Sequence, residues 1–260
     1  RPGHQDMVMH KRTNGEADLR GGGMSSARLT APLVAAAAFV APLLTPLGIK
    51  AEAQVGAIGS VEAGEMEHQP ARWSTDACKE MRCRDPDAAE AMVNLVESQR
   101  MNLNSIGSRV DLVVTGTPLG LGEPWFDGIE PAMARAMMSI PAARGVTFGR
   151  GFDVVNMTGL QHNDAWGGSP DSPTPMGERP DGVLAGLATS APIRCSVAFK
   201  PPSSIASEQK TLHLESGAIE PLTVKGRHDP VLGPRAVAVV EAMAILVLTD
   251  LALRGGFIDE

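Results

Sequence analysis

The 260-residue chain contains no tyrosine, and aromatic residues make up only 3% of it. Platforms that stack unpaired bases need aromatic faces, so a single-strand nucleic-acid binder is excluded. The core must instead be built from Ala, Val, Leu, Ile and Met. Cationic residues are in deficit, with 23 Lys and Arg against 30 Asp and Glu and a formal net charge of -7. A general nucleic-acid binder needs a basic surface in excess, so any anionic ligand of this chain must meet cations gathered locally. Cysteine is scarce. Cys78, Cys83 and Cys195 cannot pair completely, which points to a reducing cytoplasm, and no second Cys or His pair completes a metal site with Cys78 and Cys83. No apolar run reaches the roughly 20 residues that span a bilayer. Residues 33–44 are interrupted by Pro42 and followed by Thr45 and Pro46, while 236–253 contain Glu241 and Asp250, so both read as helices buried in a soluble domain rather than as membrane segments. A Walker loop, a Rossmann fingerprint and a nucleophile elbow are also absent.

What is present is a chain 43% hydrophobic and 20% charged, long enough to bury a large core, and punctuated by 28 Gly and 20 Pro. The run Gly21-Gly22-Gly23-Met24-Ser25-Ser26 is a loop by composition, and the Ala-rich segment after it reads as a helix of about four turns ending near Pro46 to Gly48. Residues 55–61 alternate as a strand, and 110–114 read as a strand because they form a β-branched run ending in Thr115-Gly116. Between them Asp85-Pro86 opens a helix, with Asp85 as N-cap, Pro86 at its first position, and Met92, Leu95 and Val96 on its apolar face; Gly107 is its expected end. A short helix near 130–139, strands at 146–148 and 193–199, and a closing helix at 236–253 complete the pattern. Residues 156–181 are rich in Gly, Pro, Ser and Asp without periodicity and read as a mobile loop or lid with few regular hydrogen bonds. Mixed strands and helices around one core give a single layered α+β domain over 1–260.

Three loops group cations, hydroxyls and glycines. In Arg20-Gly21-Gly22-Gly23-Met24-Ser25-Ser26-Ala27-Arg28, glycines let backbone amides approach a ligand, and a helix N-terminus follows; the same residues would also serve as a turn in which Ser25 or Ser26 caps the helix. Lys200-Pro201-Pro202-Ser203-Ser204 ends a strand with an ammonium and two hydroxyls, or is simply a turn. Lys225-Gly226-Arg227-His228-Asp229-Pro230, with Arg235 and Glu241 beyond it, either ties its own turn together or forms an anion clamp with an acid and base beside it.

These segments, taken with Arg1-Pro2-Gly3-His4, Gly120-Leu121-Gly122-Glu123-Pro124, and Ser139-Ile140-Pro141-Ala142 before Phe148-Gly149-Arg150-Gly151-Phe152, resemble chorismate synthase in order and spacing along nearly the whole chain. The Gly-Arg-His-Asp-Pro to Glu241 block is the most specific. The chain departs from the family pattern in opening at Arg1 without a Gly-Glu-Ser-His segment, in carrying Met24 before the two serines, and in carrying Ala185 where a glycine approaches the flavin. The resemblance therefore implies a layered β-α sandwich of the chorismate synthase type, incomplete at its N-terminus.

The implied reaction is the 1,4-elimination of phosphate from 5-enolpyruvylshikimate 3-phosphate to give chorismate, within the shikimate pathway to aromatic amino acids. The resemblance implies reduced FMN as cofactor, NADPH as its electron source, a cytoplasmic location and a homotetramer. By motif, His4 protonates or holds the departing phosphate and Asp229 assists removal of the C6 proton. Met24, Ser25, Ser26, Pro141, Ala142, Ala185, Lys200, Pro201, Pro202, Ser203, Ser204 and Arg227 would contact the flavin, and Arg1 and Arg28 the substrate. The alternative is a remnant that keeps the fold and binds FMN or phosphate without turnover.

Overall fold

The computed structural model describes residues 1–18, 20–69 and 73–259. In chain order its regular elements are α1 (Asp6–Arg12), α2 (Ala31–Val40), β1 (Lys50–Ile58), β2 (Val61–Glu62), α3 (Asp76–Met81), α4 (Pro86–Met101), β3 (Ser108–Thr115), α5 (Ile129–Met138), β4 (Ala143–Phe148), α6 (Gly159–His162), β5 (Trp166–Ser169), β6 (Ser172–Pro175), β7 (Val183–Leu184), β8 (Leu187–Ala188), β9 (Ile193–Phe199), β10 (Gln209–Leu212), β11 (Ile219–Leu222) and α7 (Gly233–Arg254). Five strands form one sheet in the order β2-β1-β3-β9-β4, and three separate two-stranded ladders pair β5 with β6, β7 with β8 and β10 with β11. The chain is thus α+β. It divides into two compact units: residues Arg1–Leu29, Val55–Arg109 and Phe199–Arg235 in the first, Thr30–Gln54, Val110–Ala198 and Ala236–Glu260 in the second.

In the first unit, Asp85 caps α4 by accepting from the Ala88 amide at 3.1 Å, and its other oxygen accepts from the Gly64 amide at 3.0 Å. One carboxylate thereby starts a helix and holds the chain leaving β2. The helix ends at Met101 with Asn102 as C-cap, six residues before the expected Gly107, because the chain reverses at Leu103, which adopts φ 56°. Gly107 serves a different purpose, since a side chain there would start 3.2 Å from the Phe199 carbonyl oxygen.

In the second unit, Ile129, Met133 and Met137 of α5 recur every four residues and are fully buried, each apolar side chain contributing about 1.5 to 3 kcal/mol by leaving water. The β9 strand alternates as its sequence predicts, with Ile193, Cys195, Val197 and Phe199 buried. On its other face, Ser196 donates to Asp111 of β3 at 2.7 Å. The α7 carboxylate Glu241 accepts from the Ala53 amide of β1 at 2.8 Å, which gives this acid a structural role.

Two further sequence expectations change. The apolar segment after the Gly-rich loop is helical but largely exposed; Ala37 and Leu44 are covered while Phe39 is 86% exposed. A helix apolar on every side reads as one buried on every side, and the described residues supply little to lie against this one. Residues 156–181 are not structureless. Thr158 and Gln161 form a reciprocal capping box on α6, and β5 and β6 pair antiparallel over four residue pairs from Trp166↔Pro175 to Ser169↔Ser172. Periodicity misses this ladder because it is short and largely exposed, so neither face selects apolar residues.

Candidate functional site

Most of the sequence-selected residues lie in the first unit, where short polar contacts join segments far apart in the chain. Arg1 grips Asp6 with two parallel bonds, Nε to Oδ2 at 2.6 Å and Nη2 to Oδ1 at 2.8 Å, and Nη2 also reaches the Gly21 carbonyl at 2.8 Å. Gln5 donates to the Gly22 carbonyl at 2.7 Å and accepts from the Ser25 hydroxyl. The opening turn is thus fastened to the Gly-rich loop through three separate side chains. Lys200 donates to the Gly3 carbonyl at 2.7 Å, and a side chain at Gly3 would start 3.1 Å from Cβ of Ser203. The 1–6 turn, the 21–26 loop and the 200–203 turn are therefore neighbours, although nearly 200 positions separate Gly3 from Lys200.

The 227–230 turn reaches the same neighbourhood through residues 105 and 106. The Ser105 hydroxyl donates to the Pro202 carbonyl at 2.7 Å, and the next amide, that of Ile106, donates to the Pro230 carbonyl at 2.8 Å. Asp229 accepts from Arg235 at 2.7 Å, with both side chains substantially exposed. His228 faces the Val224 carbonyl at 3.0 Å and so helps to close its own turn. Arg28 and Arg227 are exposed and have no ion-pair partner among the described residues.

Charge is distributed accordingly. Burial alone would raise the Asp6 carboxyl, but the hydrogen bonds from Arg1 and His4 outweigh it and hold this acid well below the usual carboxylate range. His4 Nδ1 lies 2.7 Å from Asp6 Oδ1, and the two side chains are only 19% and 12% exposed. Arg1, Asp6 and Met7, together with His213, Glu220 and Leu222, line a cavity of about 320 Å³.

Met24 is 74% exposed. The Ser26 hydroxyl accepts from the Arg28 amide at 3.3 Å, so it shapes the loop; α2 begins later, at Ala31, with no side-chain cap from either serine. Pro141, Ala142 and Ala185 belong to the second unit. There Ala142 and Ala185 both adopt left-handed backbone, φ 73° and 53°. Ala185 and Gly186 form the two-residue turn between β7 and β8 with positive φ at both positions, the geometry of a type I′ hairpin.

Sequence reasoning missed Asp6 and Ser105 as organising residues, whereas Arg235 was already grouped with the 225–230 turn that it ties through Asp229. For Asp6 a signal existed, since an acid two positions after His4, with Arg1 three positions before it, places three complementary groups on a single turn.

Comparison with known proteins adds an independent line. The family model described as chorismate synthase matches residues 1–253. A chorismate synthase from Aeropyrum pernix is 43% identical over 257 residues, covering 97% of this chain and 67% of that protein. One from Methanosarcina mazei is 39% identical over 259 residues, covering 100% of this chain and 70% of that protein. A solved crystal structure of a chorismate synthase superposes with a TM-score of 0.73 at 25% identity, over 95% of this chain and 70% of that one.

Proposed function

We infer the activity from kinship: the chain belongs to the chorismate synthase family. It is a carbon-oxygen lyase that eliminates phosphate from 5-enolpyruvylshikimate 3-phosphate to form chorismate. The observation that carries the placement of its site is the convergence of the 1–6, 21–26 and 200–203 segments through Arg1, Gln5 and Lys200.

The substrate carries a phosphate and two carboxylates, so a chain of net charge -7 must present grouped cations to it. Arg28 and Arg227 are suited to this task, because their exposed guanidinium groups are not committed to ion pairs among the described residues. His4 donates a proton to the departing phosphate or holds it by hydrogen bonding. Asp229 accepts the C6 proton, and Arg235 fixes the direction of its carboxylate.

The residues present fit a phosphorylated flavin. Ser203 and Ser204, half-buried beside Lys200, have hydroxyls with no hydrogen-bond partner among the described residues, which leaves a donor set suited to a phosphate or a carbonyl edge. Reduced FMN, when bound, supplies electron density as the phosphate leaves. Lys200, Ser203, Ser204, Ser25 and Ser26 would hold it. A cytoplasmic location and a homotetrameric assembly are proposed on the family likeness.

The test is anaerobic incubation with 5-enolpyruvylshikimate 3-phosphate and chemically reduced FMN, following chorismate and phosphate together. Equal amounts of both are expected. Flavin binding without either product would establish a binding-only protein and overturn the enzymatic reading.

A further inference from the structure

The geometry points to Asp6 as the positioning residue that fixes the tautomer of His4, so that Nδ1 carries the proton and Nε2 is the atom that exchanges protons with a ligand. The assignment of Nε2 to proton transfer rests on the reading of His4 given above; the hold of Asp6 on the ring does not.

The argument begins with who can donate. Nδ1 of His4 has two polar neighbours, Asp6 Oδ1 at 2.7 Å and Arg1 Nη2 at 3.3 Å. A guanidinium only donates and would favour a bare Nδ1, whereas a carboxylate only accepts and requires Nδ1–H. The carboxylate contact is the shorter of the two. Arg1 Nη2 also has better acceptors in Asp6 Oδ1 and the Gly21 carbonyl, each at 2.8 Å, so it has no need of the imidazole nitrogen. The Arg1 fork meanwhile keeps Asp6 ionised at neutral pH, which leaves the acid as an acceptor alone.

With Nδ1–H directed at Asp6, the ring cannot turn over without losing that bond, and Nε2 is presented in one orientation. Such an acid-histidine pair is the usual way in which a protein selects one imidazole nitrogen for chemistry and fixes its direction. The same carboxylate anchors Arg1 and, through Arg1, the Gly21 carbonyl. Asp6 therefore sets both the proton-handling atom and the seat of the Gly-rich loop.

Two kinds of measurement decide it. Long-range ¹⁵N–¹H correlation spectra of histidine-labelled protein at pH 8, with the His4 signals identified by their loss in His4→Gln, should show the Nδ1–H tautomer in the wild type. They should show a shift toward Nε2–H in Asp6→Ala. Wild-type His4 as Nε2–H would overturn the proposal, whether or not the preparation turns over. In kinetics, Asp6→Asn is expected to lower kcat by about 10- to 100-fold with KM changed less than about threefold. Asp6→Glu, which restores an ionised acceptor, should recover part of the loss. Thermal midpoints and FMN titrations on the same samples separate this from misfolding. If His4→Gln abolishes turnover and folded Asp6→Asn retains it, Asp6 has no positioning role. If His4→Gln itself leaves turnover intact, the reading of His4 as the proton carrier is what fails, and the spectra still decide the tautomer.

Discussion

At the scale of single residues, the question is which groups act and which only brace. Asp229 is the sharpest case because its visible partner, Arg235, supplies a complete structural explanation for a carboxylate at that position. That pair is exposed, at 42% for Asp229 and 74% for Arg235, and exposed pairs contribute only about 0 to 1 kcal/mol. Bracing alone therefore predicts that Asp229→Asn changes little. A role in accepting the C6 proton predicts a fall in turnover of about a hundredfold or more, with FMN affinity nearly unchanged. Chorismate formation, FMN titration and thermal midpoint measured on one preparation distinguish the two, and near-normal turnover in folded, flavin-loaded protein would remove Asp229 from the mechanism. Candidate residues were legible in the sequence because cations, hydroxyls and glycines cluster in three loops. Their partners were less so. Arg235 stands only six residues from Asp229 and could be grouped with its turn, but Ser105 is 97 residues from Pro202, a pairing that no local spacing conveys.

Among elements, legibility followed burial. The β9 strand was readable to the residue because one face is buried and the other is not, and the start of α4 was readable because Asp85-Pro86 is a capping signature. The β10–β11 hairpin and the β5–β6 ladder carry no comparable contrast, since none of their residues is buried, and they were missed. The segment around α2 was legible as a helix but not in its surroundings, because composition states what a helix is made of and not what lies against it. The β7–β8 turn supports a prediction of its own. Both central positions are left-handed, but only one is glycine. Gly186 cannot be otherwise, because a side chain there would start 2.3 Å from the Glu123 carbonyl oxygen. Ala185 retains a Cβ in a conformation that costs an L-residue roughly 1 to 2 kcal/mol, partly offset by the greater freedom that glycine has when unfolded. Ala185→Gly should therefore raise stability by about 0.5 to 1 kcal/mol, read as a higher midpoint in denaturant with an unchanged slope. A lower midpoint would show that the methyl group makes contacts worth more than the strain.

For the molecule as a whole, composition set the class, and residue order along the chain set the family. What neither conveys is how charge is shared between the two units. The first contains 16 Lys and Arg and 16 Asp and Glu, whereas the second contains 7 and 14. The entire acidic excess of the chain thus belongs to the second unit, and Arg1, Arg28, Lys200 and Arg227 all belong to an electroneutral one. An approaching polyanion feels a local potential rather than a chain total, and mobile counterions damp that potential over roughly 10 Å at 0.1 M salt. Raising ionic strength from about 0.02 to 0.5 M should accordingly weaken binding of 5-enolpyruvylshikimate 3-phosphate several-fold, as isothermal titration would record. A protein dominated by its net charge of -7 would instead bind the same anion more tightly as salt screened the repulsion. The sign of that slope reports which field the ligand meets, and weakening with salt would mean that this acidic protein receives its substrate on a locally cationic surface.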